Sequence, residues 1–210
     1  MVIKTVLFDL DQTLIDFLKM KIESCKAALD AMIKVGLKVD RKTGLKKLIE
    51  TYFREGIESN TAFTKFLEQE AGVVDKKILQ AGIDAYLKRK LELVKPYPYV
   101  LETLEFLKGN RIKIGMVTDA PREKAMYRLE NLGITKFFEV IITYDDSKTK
   151  KPDELPFKLA IEKLDIEPSE TLFVGDSIER DIEGAKRLGM KTLLIREPSD
   201  LKKIKSLLFK

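Results

Sequence analysis

Hydrophobic positions change their spacing twice along this chain. Ile3 to Phe8 (I-K-T-V-L-F) is β-branched and nearly continuous, the pattern of a strand buried on both faces. From about Asp16 to Lys95 the spacing is helical and no strand pattern interrupts it. One helix is predicted from about Lys19 to Val35, with Gly36 past its end. A second starts at Asp40 as N-cap and stops before Gly56. A third follows Ser59 or Asn60 and ends at Gly72, and a fourth runs from after Asp75 to about Val94. Four consecutive helices with short connections predict a small bundle. The segment K-P-Y-P-Y, Lys95 to Tyr99, closes it, because prolines two residues apart stop a helix.

Beyond Tyr99 strand and helix patterns alternate. Helices are predicted over Val100–Lys108, Pro121–Leu132 (closed by Gly133), Leu155–Leu164 and Arg180–Leu188 (closed by Gly189). Strands are predicted over Ile112–Val117, Val140–Thr143, Thr171–Val174 and Thr192–Ile195, and a basic helix follows Ser199. Such alternation means an α/β fold: a Rossmann-like parallel sheet with helices on both faces. The first strand belongs to that sheet. Residues 1–15 and 96–210 are therefore expected to form an α/β core, and 16–95 an inserted helical domain.

The composition narrows the chemistry. There is no histidine in the 210 residues, which excludes imidazole bases, Ser–His and Cys–His pairs and His–metal centres. One cysteine, Cys25, excludes an internal disulfide and a Cys-based zinc site, and it reads as a small buried apolar residue. With no secretory pattern at the N-terminus, a cytoplasmic location is the expectation. No apolar run is long enough for a membrane helix. The net charge of +5 arises from 39 basic and 34 acidic residues mixed along the chain, so neither a membrane nor a nucleic acid is the expected partner. Lysine and glutamate outnumber asparagine and glutamine, which leans toward a thermophile. The phosphate-loop and dinucleotide glycine motifs are both absent. A monomer or homodimer is expected.

Ligands of an open parallel sheet bind beyond the carboxyl ends of its strands. The residues at those ends are Asp9-Leu10-Asp11-Gln12-Thr13, then Thr118-Asp119, then Lys148, Lys150 and Lys151 before Pro152, then Gly175-Asp176-Ser177 with Asp181 beyond. Each alone is a turn, a cap or a solvated loop. Together they bring carboxylates, a hydroxyl and lysines to one sheet edge. In extended backbone Asp9 and Asp11 share a face and Leu10 turns away. Two close carboxylates repel, and an all-oxygen set with Asp176 suits Mg²⁺. Without histidine, the nucleophile is a carboxylate or a metal-bound water. An aspartate attacking phosphorus gives an aspartyl-phosphate, and a second can move the protons. Lys151, Mg²⁺, the Thr118 hydroxyl and backbone N–H groups of the Asp9–Thr13 turn would offset charge on a transferring phosphoryl group.

These residues resemble the four motifs of the haloacid dehalogenase-like (HAD) hydrolase superfamily: D-L-D-Q-T-L, V-T-D, K-K-P and G-D-S-I-E-R-D, in the family's order and across the whole chain. The resemblance implies Asp9 as nucleophile and Asp11 as general acid/base. It implies Thr118 as holder of the phosphoryl group, and Lys151 as the cation that steadies nucleophile and intermediate. It implies Mg²⁺ bound by Asp9, the Asp11 backbone carbonyl and Asp176, with Asp181 acting behind them or through water. Asp9, Leu10, Asp11, Thr118, Asp119 and Lys151 would line the substrate. The insertion is similar to the family's helical C1 cap, with Phe17, Leu18 and the Gly56–Asn60 turn as expected cap contributors. Dehalogenase members generally lack an acid at the second position, so Asp11 points to a Mg²⁺-dependent phosphatase of a small phosphorylated metabolite. A phosphomutase is the alternative within the fold, then a dehalogenase, and outside catalysis a binding module. Asp119 stands where many members have Asn, and would either tune specificity or hydrogen-bond to the scaffold, the second being preferred. Tyr99 stands where a Gly is frequent.

Overall fold

The computed structural model describes residues 2–208, so Met1, Phe209 and Lys210 of the expected core lie outside the described residues. The chain divides into two compact units. Phe17–Val94 forms one, and the residues up to Asp16 together with those from Lys95 onward form the other.

The second of these carries the sheet. Its strands are β1 (Thr5–Phe8), β2 (Lys113–Val117), β3 (Val140–Ile142), β4 (Thr171–Gly175) and β5 (Lys191–Leu194). They form one sheet in the order β3-β2-β1-β4-β5, and every pairing is parallel. All four residues of β1 are buried, as its unbroken apolar run requires of a central strand covered on both faces. Phe8 is level with Met116 on one side and Val174 on the other. The residues just past β1, β2 and β4 therefore open onto one edge. Leu7, Val117, Ile142, Phe157, Phe173 and Met190 pack as one buried cluster.

The unit formed by Phe17–Val94 consists of α1 (Phe17–Lys34), α2 (Arg41–Glu55), α3 (Ala62–Ala71) and α4 (Lys76–Leu93). Asp40 and Asp75 cap α2 and α4 by accepting backbone N–H bonds from Thr43, and from Lys77 and Ile78. Gly72 ends α3 at φ +69°, a left-handed turn that glycine adopts without strain. The core here is Leu29, Met32, Leu48, Tyr52, Phe63 and Phe66, among others. Cys25 is 1% exposed, and burial pushes its thiol up to about 11.

The helices of the sheet unit are α5 (Val100–Gly109), α6 (Arg122–Leu132), α7 (Tyr144–Ser147), α8 (Glu154–Leu164), α9 (Gly184–Arg187) and α10 (Lys203–Leu208). Two segments depart from the regular helices that spacing predicts. Where one helix over Arg180–Leu188 is expected, a π-turn over Ile178–Glu183 precedes α9. Its wide turn closes through Ile182 N–H donating to the Ser177 carbonyl at 3.1 Å. Hydrophobic spacing does not encode that extra residue per turn, because side-chain anchors on Ser177 and Asp181 impose it. The helix expected after Ser199 begins as a 3₁₀ turn over Pro198–Lys202, where the Asp200 carboxylate accepts the backbone N–H groups of Arg196 and Glu197.

Phe66 is fully buried in the helical unit. Phe66→Ala is expected to cost about 3–5 kcal/mol in stability, read as a lowered urea midpoint with the slope unchanged. A shift of less than about 1 kcal/mol would mean that this cluster is not the unit's core.

Candidate active site

β1 delivers Asp9 as the first residue beyond its end, tied back by Asp9 N–H donating to the Val174 carbonyl at 2.9 Å. The chain then turns sharply, with Gln12 at φ +64° and Leu14 N–H donating to the Leu10 carbonyl at 2.9 Å. Leu10 is fully buried, so its side chain is a wedge that holds the turn down. Thr13 Oγ1 donates to Asp9 Oδ2 at 3.1 Å and fixes that carboxylate from one side.

Lys151 fixes it from the other. Its Nζ lies 2.6 Å from Asp9 Oδ1, 2.6 Å from Asp181 Oδ1 and 3.0 Å from the Val117 carbonyl. All three ammonium protons are therefore placed, and the lysine is 3% exposed. The other lysines of that loop, Lys148 and Lys150, are exposed, and Lys148 pairs with Asp145 at 3.2 Å. Asp181 also accepts the Ser177 N–H at 3.0 Å through Oδ2, so the π-turn aims its carboxylate back at the strand ends. Gly175 makes room for this. A Cβ there would stand 2.5 Å from Asp181 Cβ, Cγ and Oδ2.

Thr118 is 3% exposed, and its Oγ1 accepts the Ala120 N–H at 3.2 Å, which leaves its own hydroxyl proton to donate. Asp119 lies beside it with its charge compensated. Its Oδ1 accepts the Lys151 backbone N–H at 2.9 Å, and Oδ2 is 3.4 Å from Arg180. Asp119 thus pins the lysine-bearing loop to the end of β2. Asp11 Oδ2 stands 3.1 Å from an Arg128 guanidinium nitrogen, and Arg128 is fully buried on α6.

Ligand atoms of Asp9, Asp176 and Asp181 lie within 4.8 Å of one another. Asp176 Oδ1 is buried without a hydrogen-bond partner, and its nearest cation is Arg180 at 4.0 Å. Burial raises Asp9 to about 7 against the opposing pull of Lys151, and Asp181 and Asp11 push the same way as burial. Burial, then Asp181, raises Asp176 as well. For Lys151, burial pulls the ammonium down, but Asp9, Asp181 and Asp119 outweigh it and hold it protonated. The cradle thus carries more negative than positive charge and presents oxygen donors only. That donor set and the unsatisfied Asp176 oxygen fit a divalent cation.

Several contributors escaped sequence reasoning. Thr13 sits four residues after Asp9, the reach of a helix-like turn, and that spacing was available as a signal. Arg180 follows Asp176 at the same spacing. Arg128 stands at a helical position where spacing calls for an apolar side chain, a signal that names no partner for it. The expected contributors Phe17 and Leu18 open α1, and Phe17 is buried while Leu18 is exposed.

A family model described as haloacid dehalogenase-like hydrolase matches residues 6–195. The chain is 34% identical over 193 residues to the glyceraldehyde 3-phosphate phosphatase of Methanocaldococcus jannaschii, covering 92% of this chain and 85% of that one. It is 30% identical over 208 residues to the ribulose-1,5-bisphosphate 5-phosphatase of Halopiger xanaduensis, covering 93% and 85%. Among solved structures, a HAD phosphatase from Thermococcus onnurineus superposes with a TM-score of 0.70 at 25% identity, over 97% of this chain and 98% of that one. No helix among the described residues is long and apolar enough to cross a membrane.

Gly175→Ala is expected to drive the Asp181 carboxylate off Lys151 and Ser177. A crystal structure of the variant with Asp181 still hydrogen-bonded to Lys151 Nζ would refute the close-packing role given to Gly175.

Proposed function

The chain belongs to the haloacid dehalogenase-like hydrolases, and on that premise we propose that it is a Mg²⁺-dependent phosphatase working through an aspartyl-phosphate. One observation carries the reading. A buried lysine bridges Asp9 and Asp181 at 2.6 Å each, inside an oxygen-only cradle completed by Asp176.

Asp9 is the nucleophile. Lys151 and Thr13 hold its two oxygens, so the carboxylate is oriented before substrate arrives. As Asp9 attacks phosphorus, the bond from phosphorus to the leaving oxygen breaks and Asp11 gives that oxygen a proton. In the second half Asp11 takes a proton from water as the water attacks the same phosphorus. The bond between phosphorus and Asp9 then breaks, which returns Asp9 as carboxylate and releases inorganic phosphate. Thr118 donates its free hydroxyl proton to a phosphoryl oxygen, and backbone N–H groups after Asp9 help to hold the group. Lys151 offsets the negative charge that gathers on Asp9 and the phosphoryl oxygens. Asp9, the Asp11 backbone carbonyl and Asp176 would hold Mg²⁺, with Asp181 behind them. When bound, the cation supplies positive charge for the phosphoryl oxygens and relieves the repulsion among the carboxylates. Asp119 has its charge tied to the Lys151 loop and Arg180, which supports a scaffold role.

The substrate is a small phosphorylated metabolite, and a triose phosphate is the first candidate, because the Methanocaldococcus relative is named for glyceraldehyde 3-phosphate. The helical unit would act as a cap in choosing among such compounds.

A panel of phosphorylated metabolites assayed with Mg²⁺ is expected to release phosphate, with a triose phosphate among the better substrates. Silence across the panel would sink the phosphatase reading. Asp9→Asn is expected to abolish measurable turnover, whereas Lys151→Met should lower kcat by about 10²–10³-fold. Retained activity in Asp9→Asn would remove Asp9 as nucleophile. EDTA should stop turnover and excess Mg²⁺ restore it, and full activity in EDTA would exclude the metal.

A further inference from the structure

Of the buried ions that this mechanism does not use, Arg128 is the most fully enclosed among the described residues. Arg128 occupies an inward position of α6, on the face it shares with Ala125, Leu129 and Leu132, where spacing calls for an apolar side chain. It is fully buried, and a guanidinium taken out of water is costly to keep in a fold. Its terminal nitrogen stands 3.1 Å from Asp11 Oδ2, while the Asp11 side chain keeps 25% of its surface exposed. The contact spans the turn after β1 and the helix after β2, both within the sheet unit. The two aspartates of the D-L-D stretch thus have separate cations, Lys151 for Asp9 and Arg128 for Asp11.

The geometry points to Arg128 as a positioning residue for the Asp11 carboxylate, an inference that rests on the phosphatase reading. Asp11 opens the sharp turn over residues 12–14, and its backbone bridges to Ile15 across that turn, so the direction of its side chain depends on the groups around it. A guanidinium held in place by burial draws the carboxylate toward it by charge. Asp9, two residues away, is held by other groups and does not depend on this contact. The effect of losing Arg128 therefore falls on proton transfer at the leaving oxygen and not on nucleophilic attack.

Leaving-group dependence separates these steps. A 4-nitrophenolate departs without a proton, whereas an alkoxide needs one. For Arg128→Met, kcat/KM with an alkyl phosphate is expected to fall about 100-fold. With 4-nitrophenyl phosphate it should fall less than about tenfold. Arg128→Lys, which keeps a buried cation and guards against a misfolded Met variant, should show the same bias with a smaller loss. Combined with Asp11→Asn, Arg128→Met should add no further loss on the alkyl phosphate, because both act through one group. Equal losses on the two phosphates, or losses that multiply with Asp11→Asn, would reduce Arg128 to a packing residue and overturn the inference alone. Failure of the unaltered protein to hydrolyse either phosphate would overturn the phosphatase reading together with it.

Discussion

The site depends on one ammonium group. Lys151 Nζ places its three protons on Asp9, Asp181 and the Val117 carbonyl, and so joins β1, β2 and the π-turn after β4 at a single atom. A lysine this deep is held protonated only because carboxylates surround it, and the carboxylates tolerate burial in part because the lysine is there. The balance is incomplete. Burial and neighbouring acids still raise Asp9 to about 7, which leaves the cradle short of positive charge. A protein without histidine has few other ways to place a carboxylate oxygen beside a positive centre, and this one uses aspartates and a lysine.

Much of the surrounding structure serves that arrangement. Gly175 has no side chain because Asp181 needs its space. The π-turn spends an extra residue so that Asp181 faces the strand ends and Ser177 closes the turn. Asp119 holds the Lys151 loop through a backbone bond and hands its own charge to Arg180. Leu10 anchors the start of the turn that follows Asp11.

The strand and helix order was largely legible because period-two and period-3.6 patterns record which face is buried, and glycines such as Gly72 and Gly133 marked helix ends. The edge where Asp9, Thr118, Lys151 and Asp176 gather was legible for a related reason, since parallel topology alone decides which loops meet. Contacts that depend on three-dimensional direction were not legible. Spacing puts Arg128 on the apolar face of α6, but nothing in R-E-K-A-M-Y-R-L told that its guanidinium reaches Asp11 or that Arg122 reaches Asp146. Nor does spacing reveal a π-turn, which an anchoring hydrogen bond imposes on a helical sequence.

The central place of β1 also sets a timetable. Thr5–Phe8 is made before the other strands of its sheet, and its two neighbours are β2, from Lys113, and β4, from Thr171. Between β1 and β2 comes the helical unit Phe17–Val94, whose four helices follow one another in sequence. During synthesis that bundle can condense on local contacts while the central strand of the sheet still waits for partners. The side chains gathered on Lys151, drawn from positions as far apart as Asp9 and Asp181, therefore meet only after Asp181 has been made.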